Sequence, residues 1–187
     1  GADVAVAART LSEIEQTADE VRKLGRRCIA IPTDVTKEDQ IRNMVQKTLA
    51  EFGKIDILVN NAGMEVTKPI LPLLDVETPA GYKVDSTPLS LQDWQKVMDL
   101  NLNSVFLCCR EVGQHMIDRR QGKIINITSG LGVKATPYLI AYGVSKAAAA
   151  YFTRCLALEW SRYNIHVNAL APGPLESKLM YDLTGGY

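Results

Sequence analysis

The chain has 187 residues, 21 basic and 21 acidic side chains and therefore a formal net charge of zero, and 47% of its residues are hydrophobic. That size and content suit one domain with its own core, while the balanced charge lacks the basic footprint of a nucleic-acid binder and no apolar run is long enough to span a bilayer. The opening residues GADVAVAART lack the pattern of a signal peptide. Cys28, Cys108, Cys109 and Cys155 show no CxxC spacing and read as reduced, mostly buried thiols of a cytoplasmic protein, so no metal site is expected.

Asp3–Ala7 is a short apolar run and is predicted to be a buried strand. Thr10 and Glu13 have capping-box spacing, and Leu11, Ile14, Ala18, Val21 and Leu24 follow a helical period that stops at Gly25. Cys28–Val35 reads as a second strand running into a turn. Thr36 is the expected cap of a helix that places Ile41, Met44, Val45, Leu49 and Phe52 on one face. Ile55–Val59 is a third strand, broken by the run Asn60, Asn61, Ala62 and Gly63. Residues 64–89 contain Pro69, Pro72, Pro79 and Pro88, half of all eight prolines, and read as a long irregular insertion. Ser90 and Asp93 then cap a long helical segment reaching about Arg119. Gly122–Thr128 is a fourth strand, about Tyr138 to Arg162 a helix, and Ile165–Leu170 a fifth strand ended by the prolines of Ala171–Pro174.

Short apolar strands alternating with amphipathic helices predict an α/β fold: a doubly wound parallel sheet between two helix layers, forming one domain over residues 1–187. Such sheets bind ligands at the carboxyl ends of their strands, where Asp34, Asn60, Ser129 and Pro172 all fall. Tyr142 and Lys146, four positions apart, share one helix face. A phenol is a poor base near neutral pH, and an adjacent ammonium favours its ionised form. Alone, the pair reads more readily as two polar residues on an ordinary helix. Ser129, thirteen residues before Tyr142, adds a hydroxyl, and Asn101 adds an amide in a helix interior where asparagine is a poor choice. The four groups together could polarise a carbonyl and pass a proton.

TDVT (33–36), NNAG (60–63), the Asn101 of DLNLNSVF, GKIINITS (122–129), YGVSK (142–146) and VNALAPGP (167–174) cover most of the chain. In this order and spacing the sequence resembles the short-chain dehydrogenase/reductases of classical type. The resemblance implies a Rossmann-like fold and hydride transfer between a nicotinamide cofactor and an alcohol or ketone. Tyr142 would be the general acid/base and also contact the cofactor, Lys146 would lower its pKa and hold the nicotinamide ribose, Ser129 would bond the substrate carbonyl, and Asn101 would hold a water of the proton relay. Asp34 and Val35 would lie along the adenine, Asn60, Ala62 and Gly63 would line the cofactor cleft, and Pro172, Gly173 and Ser177 would meet the nicotinamide amide. At the end of the first strand, Ala8 and Arg9 stand where NAD users commonly carry an acidic residue, which favours NADP over NAD. The stretch LALEWSRYNIHVNALAPGP is most similar to sugar and sugar-acid dehydrogenases, with 3-oxoacyl-carrier-protein reductases a close alternative. A non-catalytic remnant serving as a binding scaffold is the alternative of another class. The helical segments 94–119 and 138–162 correspond to those that pair in the family's homodimers and homotetramers.

Two departures from the family stand out. The glycine-rich strand–turn–helix that cradles the pyrophosphate is missing, and the chain stops at DLTGGY. An internal fragment is therefore expected, with the central first strand and the last strand missing and a gap between the strands at Asp3–Ala7 and Ile55–Val59. Weak dinucleotide binding by residues 1–187 alone is the corollary, which a cofactor titration checks. The insertion at 64–89 is longer than the family's usual link. It follows a strand end and reads either as a substrate lid or specificity loop, or as a plain surface insertion or oligomer contact.

Overall fold

The short β-branched and alanine-rich runs of the N-terminal half pair first. In the computed structural model, which describes residues 1–73 and 83–173, β1 (Val4–Ala8) lies parallel to β2 (Cys28–Pro32) across the crossover helix α1 (Leu11–Lys23). A second parallel sheet holds β3 (Ile57–Asn60), β4 (Gly122–Ile127) and β5 (Ile165–Leu170) in that order. Among the described residues β1 pairs with β2 alone and β3 with β4 alone, so the sheet is divided where the sequence predicts a gap.

Helix packing joins the two halves. Ile41 and Val45 of α2 (Glu38–Phe52) share one buried cluster with Val105, Cys109 and Met116 of α4 (Ser104–Arg119), with Ile124 and Ile165 of the second sheet, and with Trp160 at the end of α5 (Ile140–Trp160). Cys28, Cys108 and Cys109 are buried and Cys155 is exposed, all as free thiols. No helix of the described residues is long and apolar enough to cross a membrane, and among them no cluster of His, Cys, Asp or Glu could hold a metal ion.

Several local expectations are corrected. Ser90 caps α3 (Leu91–Met98) as read, its hydroxyl accepting from the Asp93 amide at 3.0 Å. Thr10 occupies the cap position of α1, but its side chain makes no capping bond. Thr36 does not cap α2. Its amide and hydroxyl both donate to Asp34 Oδ1, at 2.9 and 2.8 Å, so Lys37 takes the cap position. Glu38 and Asp39 in the first turn complement the exposed amides instead. The segment expected as one helix to Arg119 is broken by a wide π turn at Asp99–Asn103. The cause is visible in its middle residue. Asn101 is bonded from outside the helix, and such bulges accommodate an extra residue where a side chain is held for a task.

Candidate active site

Parallel register sets three strand ends side by side: Asn60 opposite Asn126, and Asn126 opposite Ala169. Asn126 is fully buried and wires this row together. Its Oδ1 accepts from Asn60 Nδ2 at 2.8 Å, and its own Nδ2 donates to Thr153 Oγ1 of α5 at 2.9 Å. Asn60 thus turns its amide into the sheet, and Ala62 and Gly63 extend beyond it as exposed rim. The sequence reading missed Asn126 and Thr153. An asparagine inside the apolar strand GKIINI was the available signal, because asparagine is depleted in strands unless something holds it.

Past the rim the chain is clamped by Asn101. Its Oδ1 accepts from the Met64 amide at 2.9 Å, and its Nδ2 donates to the Met64 carbonyl at 2.8 Å and to Ser145 Oγ at 3.0 Å. A Cβ on Gly63 would lie 3.4 Å from both Asn101 Oδ1 and Lys146 Nζ, so the loop backbone, the amide and the ammonium meet at one point. Ser129 begins the short turn Gly130–Gly132, its Oγ accepting from the Leu131 amide at 3.2 Å. A Cβ on Gly132 would approach Lys146 C and Ala147 N to 2.9 Å; only glycine lets this turn press on α5 one turn beyond Tyr142. Pro172 joins them through its carbonyl, which accepts from the Gly130 amide at 3.4 Å. Asn101, Ser129, Tyr142, Lys146, Gly63 and Pro172 are therefore neighbours on one rim. Ser177 lies outside the described residues.

Electrostatics set Lys146 apart. It is 4% exposed, donates to the Ile127 carbonyl at 2.8 Å, and holds its Nζ 5.7 Å from the centroid of the Tyr142 ring. Burial pulls its pKa down to about 8. At the other end of the rim, Arg9 is exposed beyond β1 and lies close enough to act on Asp34. Burial pushes the Asp34 carboxyl up, but the two Thr36 bonds, with Arg9 and Lys37 nearby, outweigh it and leave the group below its ordinary range. A carboxylate just beyond β2 thus accompanies Arg9, which reading the end of β1 by itself did not foresee. Val35, next along, packs against the core cluster.

The lysine shift has a signed consequence. Between about 8 and the ordinary 10.5, the unfolded chain keeps a proton that the folded chain has released, so stability rises with pH across that window. In urea denaturation at pH values on either side of it, the wild type gains up to about 3 kcal/mol relative to Lys146→Met. Equal pH responses in the two proteins would refute the assignment.

Comparison with known proteins identifies the family. The short chain dehydrogenase profile matches residues 1–185. The chain is 38% identical over 162 residues to 2-dehydro-3-deoxy-D-gluconate 5-dehydrogenase of Escherichia coli (strain K12), covering 86% of this chain and 58% of that protein. It is 34% identical over 176 residues to a 3-oxoacyl-[acyl-carrier-protein] reductase of Synechocystis sp. (strain ATCC 27184 / PCC 6803 / Kazusa), covering 94% and 65%. The crystal structure of NAD+-bound xylitol dehydrogenase superposes with a TM-score of 0.84 at 31% identity, over 97% of this chain and 64% of that one. The chain thus spans about three-fifths of the length of these proteins. With the profile matched almost end to end and the Asn–Ser–Tyr–Lys set gathered on one rim, the chain belongs to the short chain dehydrogenase family.

Proposed function

We propose that the intact protein is an NAD(P)-dependent oxidoreductase acting on an alcohol or ketone, with a sugar, sugar acid or similar small carbonyl compound as substrate. The observation that carries this reading is the buried Lys146 ammonium beside the Tyr142 ring, at the point where Gly63 and Asn101 meet. A bound nicotinamide dinucleotide would supply or accept the hydride. Tyr142 gives its phenolic proton to the carbonyl oxygen in reduction and takes it back in oxidation. Lys146 stabilises the phenolate left behind, more strongly for being shielded from water. Ser129 donates to the same oxygen. Asn101 acts as a positioning residue, because its amide is committed to Met64 and Ser145. A 3-oxoacyl-carrier-protein substrate is the alternative that one relative supports. A non-catalytic scaffold has no use for a buried lysine that destabilises it. Tyr142→Phe lowers kcat by about 10²- to 10⁴-fold, far more than it weakens dinucleotide binding; turnover within a few-fold of wild type removes Tyr142 from the chemistry.

Arg9 supports NADP as the preferred cofactor, since a guanidinium at the end of β1 suits a ribose phosphate. Its neighbour Asp34 is occupied by Thr36. Arg9→Ala raises the Kd for NADPH about tenfold and leaves that for NADH within about twofold. Tighter NADH than NADPH binding by the wild type would overturn the preference.

Val144, Tyr151 and Leu158 recur every seven residues along α5 and are 43%, 64% and 81% exposed. This stripe supports pairing of the protein with a second copy through α5, as a homodimer or half of a homotetramer, in the cytoplasm where its free cysteines stay reduced. Leu158→Glu shifts the intact protein to monomer in sedimentation velocity; an unchanged sedimentation coefficient rejects this interface.

A further inference from the structure

Glu65 is a carboxyl group that the proposed hydride-transfer chemistry does not use. It stands two residues beyond Gly63, directly after the residue that Asn101 clamps by both backbone groups. The other side of it is fastened as well: the Asp85 amide donates to the Thr67 carbonyl at 3.0 Å, and the Lys68 amide to the Tyr138 carbonyl at 2.8 Å. Glu65 therefore stands between two anchored stretches of backbone, two residues past the Gly63 at which Asn101 and Lys146 meet. Among the described residues its carboxyl forms no ion pair, and Oε1 has one donor, the Thr67 hydroxyl at 3.3 Å.

The charged and titratable groups on the elements around this loop are otherwise engaged. Lys146 of α5 donates to Ile127, and Lys68 is paired with Asp93 of α3 at 3.0 Å and Asp85 at 3.2 Å. Asp99 of the π turn takes the Asn103 amide at 2.7 Å. Tyr138, just before α5, meets the same segment through its carbonyl, which accepts from the Lys68 amide. Half-burial without a cation pushes the Glu65 carboxyl up to about 7, with Thr67 opposing. An ionised carboxylate has about four acceptor positions, and one donor leaves most of them for a ligand.

We propose that Glu65 reads the charge of the substrate: as a carboxylate it accepts from the hydroxyls of a neutral polyol, and as an acid it donates to the carboxylate of a sugar acid. The inference rests on the oxidoreductase reading for the identity of the site and adds what selects among its substrates. Xylitol and gluconate serve as the two probes, titrated calorimetrically into the intact protein at about pH 6 and about pH 8.

In the wild type, the affinity ratio of xylitol to gluconate rises about tenfold or more between the two pH values. In Glu65→Gln, which keeps the size but cannot titrate, it stays within about twofold. Thr67→Val removes the opposing donor and moves the midpoint of the wild-type pH response upward. A flat ratio in the wild type, an unchanged response in Glu65→Gln, or binding of neither probe overturns the proposal. If the preference follows Glu65 but neither dinucleotide supports turnover, the oxidoreductase reading fails and the role of Glu65 stands. Turnover with a preference indifferent to Glu65 keeps the oxidoreductase reading and removes Glu65 from substrate selection.

Discussion

The three hydrogen bonds of the Asn101 amide are the constraint on which the site depends. Asn101 is 1% exposed, and it satisfies both backbone groups of Met64 and the hydroxyl of Ser145 at once. Removing it would strand the partly buried N–H and carbonyl of Met64, at up to about 1–3 kcal/mol each. The loop after β3, the helical segment before α4 and the first turns of α5 are referenced to this single side chain. Ser145 passes the constraint on by donating to the Tyr142 carbonyl at 2.7 Å. The backbone that carries the phenol is thereby fixed to the loop that faces it.

Helix α5 serves as a ruler for the rest. Tyr142, Lys146, Ala149 and Thr153 follow helical spacing, and each meets a different partner: the rim, the end of β4, the core and the buried Asn126. A buried ammonium with one carbonyl partner is a poor way to stabilise a fold, since desolvation opposes the charged form. The fold tolerates that cost because the polar chain Asn60–Asn126–Thr153 and the Asn101 clamp leave no buried polar side-chain atom unpartnered among the described residues.

Much of this was legible from the residues. Alternating apolar strands and amphipathic helices pointed to the parallel α/β architecture, and Ile165–Leu170 matches its strand to the residue. Asn101, Ser129, Tyr142 and Lys146 were singled out by spacing, a strand end and an asparagine inside a helix. What stayed hidden depended on which partner a polar side chain takes. Thr36 looks like a helix cap until Asp34 is seen to claim both its donors. Asn126 looks like a blemish in a strand until Asn60 and Thr153 arrive on either side of it. The closure of the long proline-bearing loop on itself, Leu89 amide to Pro69 carbonyl at 2.7 Å, likewise leaves no local trace.

The π turn carries a further implication for how this chain tolerates change. An α-helix rotates about 100° per residue, so one residue added or removed turns every later side chain by that angle. Asp99–Asn103 absorbs such an extra residue, allowing Val97 before it and Val105 after it both to reach the core with Asn101 between them. Length and content of this stretch are thus under different rules. Conservative replacements along α3 and α4 keep the phase, whereas a single-codon deletion inside 99–103 would restore a regular helix and swing either the amide or the apolar face of α4 away from its partner. The most consequential lesion at this site would be one that alters no functional side chain at all.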